Sequence, residues 1–185
     1  MIEHAKSFGA DIINEDAERA ELKNKPFKLF ANEKEYNTKS VIIATGASAR
    51  WLGLESEKRL IGRGVSACAV CDSLFFKNKD VAVIGGGDTA MREALHLART
   101  SKSVTVIHRR DKLKAQKILQ DRAFSTKNMK FIWNSEAQEF VGKEKLEALK
   151  IKNVKTNKIT ELKMQGVFVA IGHKPNTEFL KAQIL

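Results

Sequence analysis

The sequence predicts an α/β protein, and three observations carry that prediction. A short apolar run, DVAVI (80–84), leads directly into three glycines and then into an amphipathic helical pattern. A second apolar run, SVTVI (103–107), follows that pattern, so strand, turn, helix and strand fit within about thirty residues, the length of a βαβ unit. A third run, GVFVAI (166–171), comes after several alternating segments and ends at Gly172. Short apolar runs bounded by glycine are the mark of strands buried on both faces.

The elements follow in order. The first residues read as the end of a helix. ADIINEDAERAEL (10–22) reads as a strand running into a polar turn. KPFKLFANEKEYNTKS (25–40) alternates apolar and polar residues around Asn32-Glu33, as a hairpin does. SVIIATGAS (40–48) is a continuous apolar run ending in Thr-Gly, which predicts a buried strand meeting a tight loop. WLGLESEKRLIGRGVS (51–66) is a polar, glycine-bearing connection, and a domain boundary is expected there. In the glycine unit, Ala90, Met91, Ala94, Leu95 and Ala98 form the expected inner face of the helix. KLKAQKILQDRAF (112–124) reads as another helix. KFIWN, EAQEFVGK, LEALKIKN and ITELKMQG read as a short antiparallel meander.

Composition bounds the function. The chain has 185 residues, 43% hydrophobic and 30% charged, enough to bury a core of its own. Its longest apolar runs are too short to span a bilayer. The net charge of +11 comes from lysines scattered among glutamates and apolar residues. They form no basic stripe with interleaved aromatics, so the charge reads as a solvated surface, with neither nucleic acid nor membrane as a partner. Two cysteines make no disulfide scaffold and suggest a reducing, cytoplasmic setting.

The glycine turn VIGGGDTA carries the pattern G-x-G-x-x-A on Gly85, Gly87 and Ala90. Gly85 permits the tight turn, Gly87 lets the backbone approach a pyrophosphate, and Ala90 lets helix and strand pack closely. The helix N-terminus presents free N–H groups to the phosphates. GRGVSA (62–67) fits the same pattern but follows no apolar strand, so it is not a phosphate loop. A site for NAD usually ends its second strand in Asp or Glu. Here that strand ends in His108, Arg109 and Arg110, with Lys114 one turn on, a set that attracts a 2′-phosphate and favours NADPH. The plainer alternative is a solvated start of the next helix.

Cys68 and Cys71 sit two residues apart in SACAVCDS, with Asp72 directly after. Zinc needs four ligands. The chain holds no second C-x-x-C, and its four histidines lack ligand spacing, so no metal is expected. Two readings remain: a buried structural pair, or a redox pair with Asp72 moving protons. A nicotinamide does not usually reduce a disulfide directly, so the redox reading calls for a flavin between them.

VIIATGASARWLGL, GRGVSACAVCD, VAVIGGGDTA, HRRD and GVFVAIGHKPNT, in this order and spacing, resemble the low-molecular-weight, bacterial-type thioredoxin reductases. The resemblance covers nearly the whole chain. It implies a Rossmann-like NADPH-binding domain with an antiparallel β meander, flanked by an incomplete FAD-binding domain of the same class. Residues 1–51 would be part of the FAD domain, 52–172 the NADPH domain with the redox C-x-x-C, and 173–185 the start of the return to the FAD domain. It implies electron flow from NADPH via FAD to a Cys68–Cys71 disulfide and on to thioredoxin, with Asp72 as the acid and a homodimer as the full-length assembly. Gly85, Gly86, Gly87, Asp88, Thr89 and Ala90 would hold the NADPH pyrophosphate, with Ile171 and Gly172 also on NADPH. His108, Arg109, Arg110 and Lys114 would meet the 2′-phosphate. Thr45 and Gly46 would lie against FAD.

The chain departs from the family pattern at Lys114, where the family has Arg, at Arg92-Glu93 instead of Glu-Glu, and at Ser73 instead of Gly. The glycine-rich FAD fingerprint and the Gly-Asp motif do not occur, so the chain reads as the middle of a reductase with little turnover alone. Two other functions compete: an NADP(H)-binding module with non-redox cysteines, and a related flavoprotein disulfide reductase serving a peroxiredoxin.

Overall fold

The computed structural model describes residues 1–181 and 183. Residues 182, 184 and 185, which belong to the return segment expected over 173–185, lie outside the described residues. The chain divides into two compact units, Met1–Ser48 with Pro175–Leu185, and Ala49–Lys174.

The first unit opens with helix α1 (Ile2–Ser7). Strands β1 (Arg19–Glu21), β2 (Phe27–Ala31) and β3 (Lys34–Thr38) form a three-stranded antiparallel sheet in that order. The predicted hairpin is present, and its turn residues Asn32 and Glu33 both take positive φ, 46° and 65°. Two left-handed residues are what a tight turn needs to match the twist of its flanking strands. On β1 the Arg19 guanidinium lies 3.6 Å from the centroid of the Phe30 ring on β2. A 3₁₀ turn at Glu178–Leu180 buries Leu180, and the Gln183 amide donates to the Ala20 carbonyl at 2.7 Å.

Two expectations fail in this unit. Residues 10–14 are not a strand, and the strand begins only at Arg19. Residues 41–46 are neither strand nor buried: Ile42 is 93% exposed. A strand needs a hydrogen-bonded neighbour and a covering layer. Among the described residues nothing pairs with either stretch as a strand.

Strands β4 (Ala47–Ala49) and β13 (His173–Pro175) pair with each other. Between them the chain builds the second unit. The expected polar connection contains helix α2 (Glu55–Leu60), whose Glu57 carboxylate is fully buried and accepts from the backbone N–H groups of Leu52 and Gly53, at 3.0 and 2.8 Å. Next come β5 (Val65–Ser66), the one-turn helix α3 (Ala69–Asp72) and a 3₁₀ turn at Ser73–Phe76. Then follow β6 (Asp80–Ile84), α4 (Asp88–Leu97), β7 (Ser103–Ile107), α5 (Lys117–Ser125) and β8 (Met129–Ile132). Three further strands, β9 (Ser135–Val141), β10 (Ala148–Asn153) and β11 (Ile159–Lys163), precede β12 (Gly166–Val169).

Five strands form one parallel sheet in the order β5-β12-β6-β7-β8. Alternation along each strand feeds two cores. Val81, Val83, Val104, Val106 and Phe168 join Met91, Leu97 and Ala123 on the helical face. Ala82, Ile84, Ile107, Val167 and Val169 join Phe140, Leu149 and Ile151 of the meander on the other. Covering on both sides is why these strands are mainly apolar, with Ser66 and Thr105 as buried polar exceptions. Burying side chains on both faces makes this sheet the largest hydrophobic contribution in the described residues.

Three expectations need correction here. KFIWN does not belong to the meander, which is β9-β10-β11; as β8 it pairs parallel with β7 and ends the large sheet. Its partner is chosen by the crossover through α5, which short-range pattern does not reveal. The inner face of α4 is Ala90, Met91, Ala94 and Leu97, with Leu95 and Ala98 only partly buried. The helix expected from residue 112 starts at Lys117, because residues 109–116 are drawn onto the glycine turn.

Candidate functional site

Gly85 ends β6 in a conformation closed to other residues. Its φ is +147°, and a Cβ there would lie 2.3 Å from the Ala170 carbonyl oxygen and 2.8 Å from the Ala90 Cβ. Gly87 is the N-cap of α4, has no side-chain cap, and faces open space within 4 Å of where its Cβ would be. The first N–H groups of α4 therefore look out onto a clear approach, the arrangement that binds phosphate.

A cavity of about 650 Å³ opens at this turn, within the second unit. Such a volume suits a small-molecule cofactor. Gly85, Gly86, Gly87, Thr89, His108, Arg109, Arg110, Lys114, Ile171 and Gly172 all line it. Asp88 and Ala90 do not: Ala90 is buried in the core, and an Asp88 carboxylate oxygen accepts from the backbone N–H of Gln116 at 2.7 Å. Sequence reasoning missed other lining residues: Arg50, Leu52 and Leu54 from the connection, and Ser135, Glu136 and Ala137 from β9. They come from segments remote in sequence; Arg50, Leu52 and Leu54 lie in a stretch that carries the family resemblance, but nothing local marks them as cavity residues.

His108 lines the cavity but differs in exposure from its cationic neighbours Arg109 and Arg110. It is only 9% exposed, and its Nε2 is buried with no partner. Burial holds its pKa below the ordinary value, and the Arg110, Arg109 and Lys114 charges act in the same direction, while a hydrogen bond with the Lys112 backbone opposes them. The ring instead supports the glycine turn: a Cβ on Gly86 would come within 2.5 Å of it. Arg109, Arg110 and Lys114 remain exposed around the cavity.

Cys68 and Cys71 are joined by a disulfide at the start of α3. Cys68 is the N-cap, and its Sγ accepts from the Cys71 backbone N–H at 3.2 Å. Cys68 is half-buried and Cys71 exposed. Asp72 lines a separate cavity of about 450 Å³ together with Arg63, Phe75, Lys79 and Lys145. Neither cysteine lines the glycine-turn cavity.

Helix α4 links the two places. Its N-terminus forms the phosphate-facing turn, and its later turns pack against α3. Glu93 of α4 is hydrogen-bonded with the Ala69 backbone, and burial raises its pKa above the ordinary carboxylate value. One turn on, the His96 ring and the buried Ser73 hydroxyl lie 3.2 Å apart. Arg92-Glu93 and Ser73 were visible in sequence only as departures from a family pattern.

Thr45 and Gly46 lie in the first unit and are exposed. Asn176 holds them: its side-chain amide donates to the Thr45 carbonyl and its backbone N–H to that of Gly46, each at 3.0 Å. Among the described residues the first unit has no glycine-rich turn between a strand and a helix, so it offers no complete flavin cradle.

Comparison with known proteins agrees with these features. Residues 3–185 match the family described as pyridine nucleotide-disulphide oxidoreductase. The chain is 46% identical to a thioredoxin reductase of Rickettsia conorii, over all of the chain and 61% of that protein. It is 47% identical to one from Streptomyces coelicolor, over all of the chain and 58% of that protein. Its fold superposes on Lactococcus lactis thioredoxin reductase in the FR conformation with a TM-score of 0.83 and 43% identity, covering 96% of this chain and 59% of that one. The chain thus spans about three-fifths of the length of the relatives it matches. By the family match, and by a glycine turn and a C-x-x-C disulfide held in one unit, the chain belongs to the pyridine nucleotide-disulphide oxidoreductase family.

Proposed function

We propose that this chain is the nucleotide- and disulfide-bearing part of a thioredoxin-disulfide reductase that takes electrons from NADPH. The observation that carries this reading is that one helix, α4, joins the two places within one unit: its N-terminus opens onto the glycine-turn cavity, and it packs against α3, which carries the Cys68–Cys71 disulfide. The relatives' name supplies the acceptor, thioredoxin, and the resemblance implies a homodimeric full-length protein. The two cysteines and the scattered lysines support a cytoplasmic protein with no nucleic-acid or membrane partner; no described helix is long and apolar enough to cross a membrane. The domain limits we adopt are 1–51, 52–172 and 173–185.

In this reading Gly85, Gly86, Gly87 and the first turn of α4, including the backbone of Asp88, Thr89 and Ala90, hold the NADPH pyrophosphate. Ile171 and Gly172, which follow β12, also line the cavity. Arg109, Arg110 and Lys114 supply the charge for the 2′-phosphate, and His108 keeps the turn in shape. FAD, when bound in the full protein, supplies a carrier between nicotinamide and disulfide; Thr45 and Gly46 are this chain's contribution to its site, and no step is derived through it.

The cysteine pair gains two electrons and two protons as the Cys68–Cys71 bond breaks into two thiols. Asp72 is the acid assigned to deliver a proton. Cys68 passes its proton to the Asp72 carboxylate and attacks a disulfide sulfur of the acceptor, forming a mixed disulfide and releasing one acceptor thiolate, which takes up that proton. Cys71 displaces the second, which closes the Cys68–Cys71 bond again and leaves the acceptor as a dithiol.

The test has two readouts on the purified chain. NADPH binding by titration should be tighter than NADH binding, and thiol labelling should gain two reactive groups per chain after reduction. Equal labelling before and after would leave an NADP(H)-binding module with structural cysteines. A colourless chain that does both without turnover fits the proposal; a flavin band bleached by NADPH would show that the chain completes a flavin site after all.

A further inference from the structure

The cationic segment between β7 and α5 has no regular structure from Arg109 to Gln116, yet it is held at fixed points. The Gly86 carbonyl accepts from two backbone N–H groups at once, Lys114 at 2.7 Å and Ala115 at 3.1 Å. Leu113 and Ala115 are buried in the helical-face core. The last fixed point is the Asp88 carboxylate, which accepts from the Gln116 N–H at 2.7 Å. Gln116 is the N-cap of α5, and Asp88 is the first helical residue of α4. One carboxylate therefore ties together the starts of two helices, whose dipoles both favour negative charge there.

We propose that Asp88 is a positioning residue for nucleotide specificity. It does not line the cavity. It fastens the strap that carries Arg109, Arg110 and Lys114 to the turn that faces the pyrophosphate. The spacing between the two phosphate-binding regions is then set by one side-chain bond and two backbone bonds. A phosphate held by several cations gains from each only if they stay at a common distance from it. Cutting the Asp88–Gln116 bond frees the strap's C-terminal end, so the loss falls on nucleotides that carry a 2′-phosphate. Binding of NADH, which uses the turn but not the cations, is barely affected. The inference rests on the NADPH reading above and deepens it.

The experiment measures Kd for NADPH and NADH in the unaltered chain and in variants that break the bond from either end. Asp88→Ala removes the acceptor. Gln116→Pro removes the donor at a residue whose φ of −57° already suits proline. Each should weaken NADPH roughly tenfold and change NADH less than about twofold. Asp88→Asn keeps an acceptor oxygen and should restore the preference. The double variant should be no worse than either single one, since both remove the same bond. Should Asp88→Ala fail to fold, Gln116→Pro and Asp88→Asn still decide. An unchanged NADPH-to-NADH ratio in Gln116→Pro, equal loss of both nucleotides, or additive losses in the double variant would overturn the role of Asp88 while leaving NADPH binding intact. Equal affinity for both nucleotides in the unaltered chain would overturn the NADPH reading itself, and the role of Asp88 with it.

Discussion

DVAVI at 80–84 and SVIIA at 40–44 are both five-residue apolar stretches that run on to glycine, and the molecule treats them differently. The first is β6, flanked by β12 and β7, with Val81 and Val83 on one core and Ala82 and Ile84 on the other. The second has no strand neighbour among the described residues, and Ile42 stands almost fully in solvent. Apolar composition marks a candidate for burial, but burial is conferred by neighbours. The same holds for the units. The second stacks helices and a meander on either face of a parallel sheet, whereas among the described residues the buried apolar ones of the first are Ala20, Ala31 and Leu180. Stability should therefore be concentrated in residues 49–174.

Mutation gives the widest contrast. Leu97→Ala, at a fully buried position, should cost about 3 kcal/mol by urea unfolding, while Ile42→Ala should stay within about 0.5 kcal/mol. Comparable costs at the two sites would break the comparison. Next comes Gly85→Ala. The backbone oxygen of Ala170 leaves no space and φ is unsuitable, so about 2 kcal/mol should be lost together with nucleotide binding. A variant with normal NADPH affinity would show that the turn is not the cradle.

A smaller effect tests whether the first unit's hairpin stands by its own turn. Glu33 takes a left-handed conformation, and Glu33→Gly should gain about 1 kcal/mol in local hairpin protection by hydrogen exchange, with no change in β6 or β7. The smallest effect is one of pH. Because burial raises the Glu93 pKa, the folded chain holds that proton more tightly than the unfolded one. The stability this adds is complete below the ordinary value of 4.5 and is lost as pH rises through the raised folded value. Glu93→Gln removes the effect, so its stability relative to the unaltered chain should rise as pH climbs above the ordinary value of 4.5, seen as a shift in urea midpoint. A flat difference would show that the carboxyl is solvated.

The βαβ unit was legible because its signals are local: an apolar strand, glycines at fixed offsets and a helical period. The hairpin was legible for the same reason, from alternation around Asn32-Glu33. Pattern alone puts KFIWN in the meander, because whether a strand pairs parallel or antiparallel is decided by the chain that returns to it, and here α5 intervenes. At the cavity, the glycines and cations announced themselves. The connection residues Arg50, Leu52 and Leu54 and the β9 residues Ser135, Glu136 and Ala137 did not, since only the completed sheet brings them there. The motif also marked Asp88 and His108; the Asp88 side chain bonds the Gln116 N–H, and His108 is largely buried while still lining the cavity.

The strand order has a consequence for a chain made from one end. β12 lies between β5 and β6, although some eighty residues separate it from β6 in sequence, so an interior strand of the sheet is the last to be synthesised. Until Val169 leaves the ribosome, β5 and β6 cannot be joined, and each presents an open edge. Gly166, Val167, Phe168 and Val169 are all buried, so their arrival closes both cores in one step. A nascent chain halted before that point would be a target for chaperones, and one halted just after it would already hold the finished sheet.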